Sequence, residues 1–491
     1  MNLIMKQKSV KFNFIMNAVL TASTFIFPLI TYPYVSRILG PDGIGKVSFA
    51  TSVIYYFSMF AQLGIPTYGI SACARVRDDK VKLTRTAHEI MSINLVMTIF
   101  VYIAYAIMLF AVPKVSGEKP LFIVMGLTII FNTIGVEWLY KALEQYSYIT
   151  TVSIIFKFIS VVAMFAFVNS PDDYVIYGGI SIIAGTGSNL MNFLRLRKFV
   201  SVRPVGGYNF KKHIKAIVVF FAMSVAVTIY TNLDTVMLGF MKTDADVGYY
   251  NTAVKVKNIL CSVVTSLGTV LLPRMSHLAE DKKWDDFYLL VKKAINFVLL
   301  ISLPLMVFFM IFAKDSVLLL SGEEFLPAVV PMQITMPTIV FIGLTNVLGI
   351  QVLVPLGKEK QVLYSELAAA ILKLLLNIFV ISRFASSGAA AGTVLAELTV
   401  LVVQAYALRD KIGSMFKGIA YSKIVIALGA ASVIGIICNM FITISPFLNL
   451  AISSILFFAV YGVLLLVMKE NLVNELFNQI MGKFLKLKKK N

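Results

Sequence analysis

The sequence predicts an all-α polytopic membrane protein with fourteen transmembrane helices: two six-helix lobes around a central cavity, plus two C-terminal helices. Three observations predict it. The first is composition: of 491 residues, 58% are hydrophobic and only 14% charged, where a soluble chain carries about a quarter charged residues. The second is a series of apolar runs, each near the roughly 20 residues that cross a bilayer as a helix. The third is an uneven distribution of lysine and arginine between alternate loops.

The apolar runs fall at 12–39, 47–72, 86–112, 120–140, 148–168 and 174–194, then at 216–240, 247–272, 294–313, 326–354, 361–381 and 387–408, and finally at 420–442 and 447–468. They lack the period-two alternation of barrel strands, which leaves helices, since lipid admits only helices and closed barrels. Of the 44 basic residues, 33 fall in the loops sharing a side with the N-terminus, 7 on the opposite side and 4 inside spans. By the positive-inside rule both termini are cytoplasmic. An odd span count would scramble that bias. The early stretch following Lys6, Lys8 and Lys11 is too long for a cleavable signal peptide.

The longest loop, Arg195–Lys215, separates six spans from six. The partition is 1–197 for the first lobe, 198–215 for a basic cytoplasmic linker, 216–410 for the second lobe, 411–468 for helices 13 and 14, and 469–491 for a basic cytoplasmic tail. Gly45 and Gly248 each open the second span of their half, and Arg75 and Arg274 follow those spans. This faint echo suits the repeats of transporters.

Several functions are excluded. The net charge of +19 is read as cytoplasmic loops rather than nucleic-acid binding. Cys73, Cys261 and Cys438 show no metal-ligand spacing and read as packing residues. His88, His213 and His277 sit at or near loops. No metal site, cofactor motif or nucleotide-binding loop is seen, so the chain reads as a transporter and not an enzyme.

Charges inside the spans are the candidate functional residues, because each is expensive in hydrocarbon and must face water or a partner. They are Lys157, Lys255, Lys257 and Lys373, with Glu137, Asp234, Glu366 and Glu397. Lys255 shares a helical face with Asn251, Asn258, Ser262, Ser266 and Thr269; Lys157 lies between Ser153 and Ser160; Lys373 shares a face with Glu366 and Asn377. Asn13, Asn17, Thr21, Thr24 and Thr31 form a polar stripe on the first span. Such faces either line a central cavity or form hydrogen-bonded seams between helices. Lysines in a cavity suit an anionic substrate, since lysine binds phosphate as a point charge.

Three segments resemble a known family. One is Pro33-Tyr-Val-Ser-Arg37-Ile-Leu-Gly40-Pro-Asp-Gly43-Ile-Gly45 with Gln62-Leu-Gly64-Ile-Pro-Thr-Tyr-Gly69. The second is Glu137-Trp138-Leu-Tyr-Lys-Ala-Leu-Glu144 followed by Lys157, Ser170-Pro171-Asp172-Asp173-Tyr174 and Tyr177. The third is Asn232-Leu-Asp234-Thr-Val-Met237-Leu-Gly239, with Val247-Gly248-Tyr-Tyr250, Lys255 and Leu272-Pro273-Arg274. Together they resemble the Wzx-type O-antigen and capsule repeat-unit flippases, the bacterial polysaccharide transporters of the multidrug/oligosaccharidyl-lipid/polysaccharide exporter superfamily. Ala142 stands where that family usually has glycine. The resemblance spans about residues 10–410. It implies a V-shaped fold and a substrate, an undecaprenyl-pyrophosphate-linked oligosaccharide, moved between leaflets of the bacterial plasma membrane. It implies Lys157 and Lys255 as basic substrate-binding positions; Lys373, from its polar helical face, and Arg37 of the opening motif are the further substrate-binding candidates. Polysaccharide assembly proteins are the expected partners.

With no ATPase motif, an ion gradient is the expected energy source. Glu397, Asp234 and Glu366 are the candidate carriers of a proton or sodium, because a membrane-buried carboxyl titrates nearer the working range. Glu366 and Lys373, two turns apart, are alternatively an internal pair. A lipid II flippase and a multidrug antiporter of the same superfamily are the near alternatives, though the basic stripes disfavour the latter. A membrane-embedded polysaccharide polymerase is the alternative of a different class, and would be expected to carry a long outer loop.

Overall fold

A computed structural model describes residues 10–441, 444–475 and 477–479. Lys6, Lys8 and the five lysines after Lys469 lie outside them. The described residues contain nine helices long and apolar enough to cross a membrane, or eleven if each bent pair is one span. The chain divides into two compact units, Met1–Gly248 and Tyr249–Asn491.

In the first unit the order is α1 (Val10–Gln62), α2 (Ile65–Ala74), α3 (Lys80–Ala111), α4 (Pro113–Ser116), α5 (Lys119–Ile134), α6 (Glu137–Ala142), α7 (Tyr146–Phe167), α8 (Tyr174–Thr186), α9 (Ser188–Arg195) and α10 (Lys211–Met241). At 53 residues α1 would run about 80 Å if straight, against a hydrocarbon core of about 30 Å. Gly40 breaks it, with φ 63° and ψ −177°. Proline at 41 excludes the α conformation from the residue before it, and glycine takes positive φ at no steric cost. The Gly40-Pro41 step thus separates the first two predicted spans.

The halves of α1 organise the unit. The first half runs alongside α7: Thr150 Oγ1 donates to Met16 O at 3.0 Å, and the Tyr34 hydroxyl to Val168 O at 2.9 Å. The second half is antiparallel to α3 and α10. Asn94 Nδ2 donates to Ala61 O, Phe57 stacks edge-on to Tyr105, and Phe60 and Phe49 meet Phe221 and Phe240. These directions match the predicted alternation of spans. Along α3, Ile99, Phe100, Ile103, Ile107 and Phe110 stand exposed. Such a stripe is stable against lipid, not water.

The turn after Gly40 is locked to the start of α11 (Asp244–Glu280). A β-carbon on Gly45 would collide with the Asp244 carbonyl oxygen, and one on Gly248 with that of Pro41. The two glycines that echoed each other in the sequence therefore make reciprocal backbone contacts. Lys114 pairs with Asp244 at 2.7 Å, and Glu118 takes Lys46 and the Tyr174 hydroxyl, each at 2.7 Å. We expect Gly45→Ala and Gly248→Ala each to destabilise the protein by about 1–3 kcal/mol through overpacking, seen as a lower thermal midpoint in detergent. Gly185→Ala, where a β-carbon meets open space, is expected to be neutral.

The second unit continues with α12 (Trp284–Ile311), α13 (Ala313–Ser321), α14 (Val329–Thr335), α15 (Thr338–Thr345), a π-helix (Asn346–Leu353), α16 (Glu359–Ala407), α17 (Arg409–Phe416), α18 (Tyr421–Phe441) and α19 (Pro446–Val467). Predicted span 10 is thus a broken element, interrupted around Pro337 and bent by 44°. The 49-residue α16 is non-helical at Ala385 (φ 47°, ψ −125°). Gln404 Nε2 reaches Ser365 Oγ at 3.3 Å, Gly392 abuts Asn377, and Gly388 abuts Val380. Those pairs define an antiparallel hairpin, so α16 holds predicted spans 11 and 12. With α1 and α16 each counted twice, and α8 with α9 taken as one span, the helices accommodate the fourteen predicted segments.

Helices α18 and α19 pack on each other and on α12 and α13. Their docking is polar at both ends and aromatic between: Asn449 donates to Asp315, Asn296 to Glu470, and Phe308 meets Phe457 and Phe458. Cys73, Cys261 and Cys438 are free and buried, as packing residues should be.

Candidate functional site

Lys157 sits about halfway along α7, roughly 16 Å from the helix start at 1.5 Å per residue. Its side chain is buried, 8% exposed. The ammonium donates one hydrogen bond, to Ser23 Oγ at 2.6 Å. The Ser23 hydroxyl in turn donates to Leu20 O, which leaves its lone pairs for the lysine. Among the described residues Lys157 has no carboxylate within ion-pair distance. An ammonium carries three donors, and a buried cation is normally paired. The arrangement is therefore a buried cation with one hydrogen bond and no ion pair among the described residues. Elsewhere in the unit, α5 and α6 meet at Val136, whose φ of 40° is strained for a β-branched residue. On α1, Asn17, Thr21 and Thr24 of the predicted polar stripe are exposed, whereas Asn13 and Thr31 are buried.

Other residues of the first unit are placed as follows. Asp234 on α10 is buried at 2% exposure and lies in electrostatic range of Tyr56, whose hydroxyl is buried without a partner among the described residues. Arg37 is exposed beside the Gly40 turn and donates to Pro33 O at 2.5 Å. It lies at the end of the first half of α1, well beyond Ser23 along the helix, and the structure does not bring it to Lys157.

In the second unit Lys255 on α11 is half-buried, as are Asn251 and Ser262, while Asn258 and Ser266 are exposed. Lys257 is half-buried too, so burial does not separate the two lysines. The inner seam of the α16 hairpin is polar: Ser365, Lys373 and Asn377 from one arm, Thr393, Glu397 and Gln404 from the other, all buried. The register set by Ser365–Gln404 and Asn377–Gly392 brings Lys373 level with Glu397. Tyr250 shares a hydrogen bond with Thr393 at 3.0 Å. Glu366 is only half-buried and forms no ion pair among the described residues. The pairing expected with Lys373 is not made; the charge nearest in effect to Glu366 is Glu397.

Sequence reasoning missed Glu89, an acid inside the third predicted span. Fully buried on α3, it accepts from Lys212 Nζ at 2.7 Å, His213 Nε2 at 2.8 Å and the Asn209 amide at 2.6 Å. The Tyr68 hydroxyl meets His213 Nδ1 at 2.6 Å. Arg85 donates to Gly206 O, and His88 bonds Ser201 O. The basic loop is thereby strapped to α3, and His213 is a core residue rather than a loop one. The available signal was a lone acid in a span opposite the most basic loop. We expect Glu89→Ala to cost about 1–3 kcal/mol by orphaning these donors, read as a lower thermal midpoint.

No group of three or more histidine, cysteine, aspartate or glutamate side chains able to hold a metal ion occurs among the described residues. The chemistry on offer is electrostatic: buried ammonium groups and carboxylates, with Lys373 and Glu397 on the two arms of α16.

Comparison with known proteins adds context. The profile of a family described as polysaccharide biosynthesis protein matches residues 10–279, and a second, MatE, matches 219–379. A protein of Escherichia coli (strain K12) named "Putative O-antigen transporter" is 25% identical over 384 residues, 78% of this chain and 92% of the relative. One of the same name from Shigella dysenteriae is 23% identical over 373 residues, 74% and 91% of the two chains. Among solved structures, the lipid II flippase MurJ superposes with a TM-score of 0.72 at 14% identity, covering 94% of this chain and 100% of that one. A multidrug resistance MATE family transporter of the MOP superfamily gives 0.62 at 13% identity, covering 83% and 100%. At such identities these likenesses establish the fold alone.

Proposed function

The chain belongs to the polysaccharide biosynthesis protein family, and we propose that within it the protein is a flippase. It carries undecaprenyl-pyrophosphate-linked oligosaccharide repeat units from the cytoplasmic to the outer leaflet of the bacterial plasma membrane, for O-antigen or capsule synthesis. The observation that carries this reading is Lys157, a buried ammonium with one hydrogen bond and no ion pair among the described residues. The diphosphate is the part of such a substrate that hydrocarbon excludes, and a fixed cation at membrane depth offsets its desolvation. Lys255 and Lys373 are the further cations assigned to the substrate path, and Arg37 to its exit side.

Movement is by alternating access of the lobes 1–197 and 216–410, with both termini cytoplasmic. It needs no covalent chemistry. The energy comes from a proton or sodium gradient, with Glu397 the first choice of carrier, ahead of Asp234 and Glu366. Glu397 is buried on a seam with Thr393, Asn377 and Gln404, groups that can solvate a cation or a bound proton. The polyprenyl tail stays in lipid.

Deleting the gene is expected to reduce surface polymer while lipid-linked repeat units accumulate on the cytoplasmic side. Normal delivery of those units to the outer leaflet, with no substitute flippase present, would refute the proposal. Arrest of peptidoglycan synthesis instead would point to lipid II, and raised drug sensitivity with intact polymer would point to a multidrug antiporter.

A further inference from the structure

The span formed by α8 and α9 runs from Tyr174 to Arg195. At 1.5 Å per residue that is about 32 Å, close to the roughly 30 Å of hydrocarbon, so Arg195 stands at headgroup level. Its guanidinium is clamped. The carbon Cζ lies 3.9 Å from the centre of the Tyr148 ring and 5.9 Å from that of Phe199. Tyr148 stacks on Tyr140 at 5.4 Å, and Tyr140 meets Phe199 edge-on at 5.5 Å. Hydrogen bonds to α9 hold both tyrosines: the Tyr148 hydroxyl donates to Met191 O at 3.1 Å and that of Tyr140 to Asn192 O at 2.6 Å. Tyr140 and Phe199 belong to the buried core of the unit, which makes the clamp rigid. The charge it holds is unanswered. Arg195 forms no ion pair among the described residues, and its buried Nε has no hydrogen-bond partner there. Ring faces and the C-terminal end of α9 favour a cation, but neither satisfies that N–H, and a buried donor without a partner is uncommon.

The surroundings identify what would answer it. From Ser188 to Lys215 the chain carries 7 basic residues and no acidic one, and Arg197 and Lys198, just beyond Arg195, are exposed. One face of α9 presents Leu190, Phe193 and Leu194, all exposed, a surface suited to acyl chains rather than water. We propose that this end of α9 is a binding site for an anionic phospholipid, with its acyl chains on Leu190, Phe193 and Leu194 and its phosphate on the Arg195 guanidinium. The planar fork of arginine fits a phosphate, and a guanidinium already held by rings loses little freedom on binding it. Arg197 and Lys198 add charge at the same level and set the preference for an anionic lipid: a zwitterionic headgroup brings an ammonium to the same basic surface and gains less. The site goes beyond the transport reading and does not depend on it. Its occupant fastens the start of the basic linker to the leaflet.

The test is titration of the purified, delipidated full-length protein in detergent with phosphatidylglycerol, read as the affinity of the tightest site by native mass spectrometry and as the rise in thermal midpoint on binding. Phosphatidylcholine and inorganic phosphate are titrated in parallel. The native protein is expected to prefer phosphatidylglycerol, and Arg195→Gln to weaken that binding about ten-fold and to lose the rise in midpoint. Arg195→Lys, which keeps the charge but not the fork, is expected to fall between the two, and it carries the test if Arg195→Gln does not fold. Arg203→Gln, which removes the same charge from the exposed loop, should leave affinity and midpoint rise unchanged. If the folded Arg195 variants bind phosphatidylglycerol as the native protein does, or if the native protein binds phosphatidylcholine equally well, the proposal is wrong and Arg195 is a structural partner of the rings. If inorganic phosphate displaces phosphatidylglycerol at equal concentration, the site takes soluble phosphate and the lipid assignment is wrong.

Discussion

Lys157→Met is expected to weaken binding of the pyrophosphate headgroup by about 2–4 kcal/mol, a factor of roughly 30 to 700, the range for losing one partner of a buried charge contact. Transport should fall by a similar factor at limiting substrate. Stability should not fall with it. Methionine retains the length and apolar stem of lysine, and replacing a buried charge with an apolar isostere is often neutral or stabilising. Ser23, which accepts the lysine's hydrogen bond, would keep its own bond to Leu20 O. Loss of transport with an unchanged thermal midpoint is therefore the signature of a binding lysine. A lowered midpoint with transport preserved per folded molecule would make Lys157 a structural residue.

Glu397→Gln is expected to uncouple transport from its driving gradient. One elementary charge moved through 100 mV is worth about 2.3 kcal/mol, so loss of one coupled ion would lower the attainable substrate ratio across the membrane by roughly 50-fold. Exchange down the substrate's own gradient should persist. The measurement is flipping in proteoliposomes with and without an imposed ion gradient. The native protein should respond to the gradient and the variant should not. If the variant still responds, the carrier lies elsewhere, and Asp234 is the next to substitute.

Much of the fold was legible because lipid imposes simple demands: long apolar runs, and few charges between them. The Gly40-Pro41 step stood out between two runs, and the second hairpin turn, at Ala385, lay between runs ending at 381 and starting at 387. The joint at Val136 and the π-helix at Asn346–Leu353 were not legible, because packing from other helices sustains them rather than local preference. The candidate site was half legible. Polar spacing picked out Lys157 but gave no indication of Ser23 as its partner, since the two are 134 residues apart. The proposed Glu366–Lys373 pair failed on geometry. Seven residues put about 10.5 Å of helix rise between them, whereas the antiparallel register of α16 brings Glu397 to the level of Lys373. Glu89 was overlooked because its partners come from the linker, and a carboxylate so enclosed is visible only once that loop is seen against α3.

The most direct measurement is flipping of a fluorescent undecaprenyl-pyrophosphate-linked oligosaccharide in proteoliposomes, scored by accessibility to an impermeant quencher. The native protein is expected to expose the inner-leaflet pool to the quencher, accelerated by an ion gradient, and Lys157→Met to leave that pool protected. Equal protection with native protein, with Lys157→Met and with empty liposomes would contradict the account.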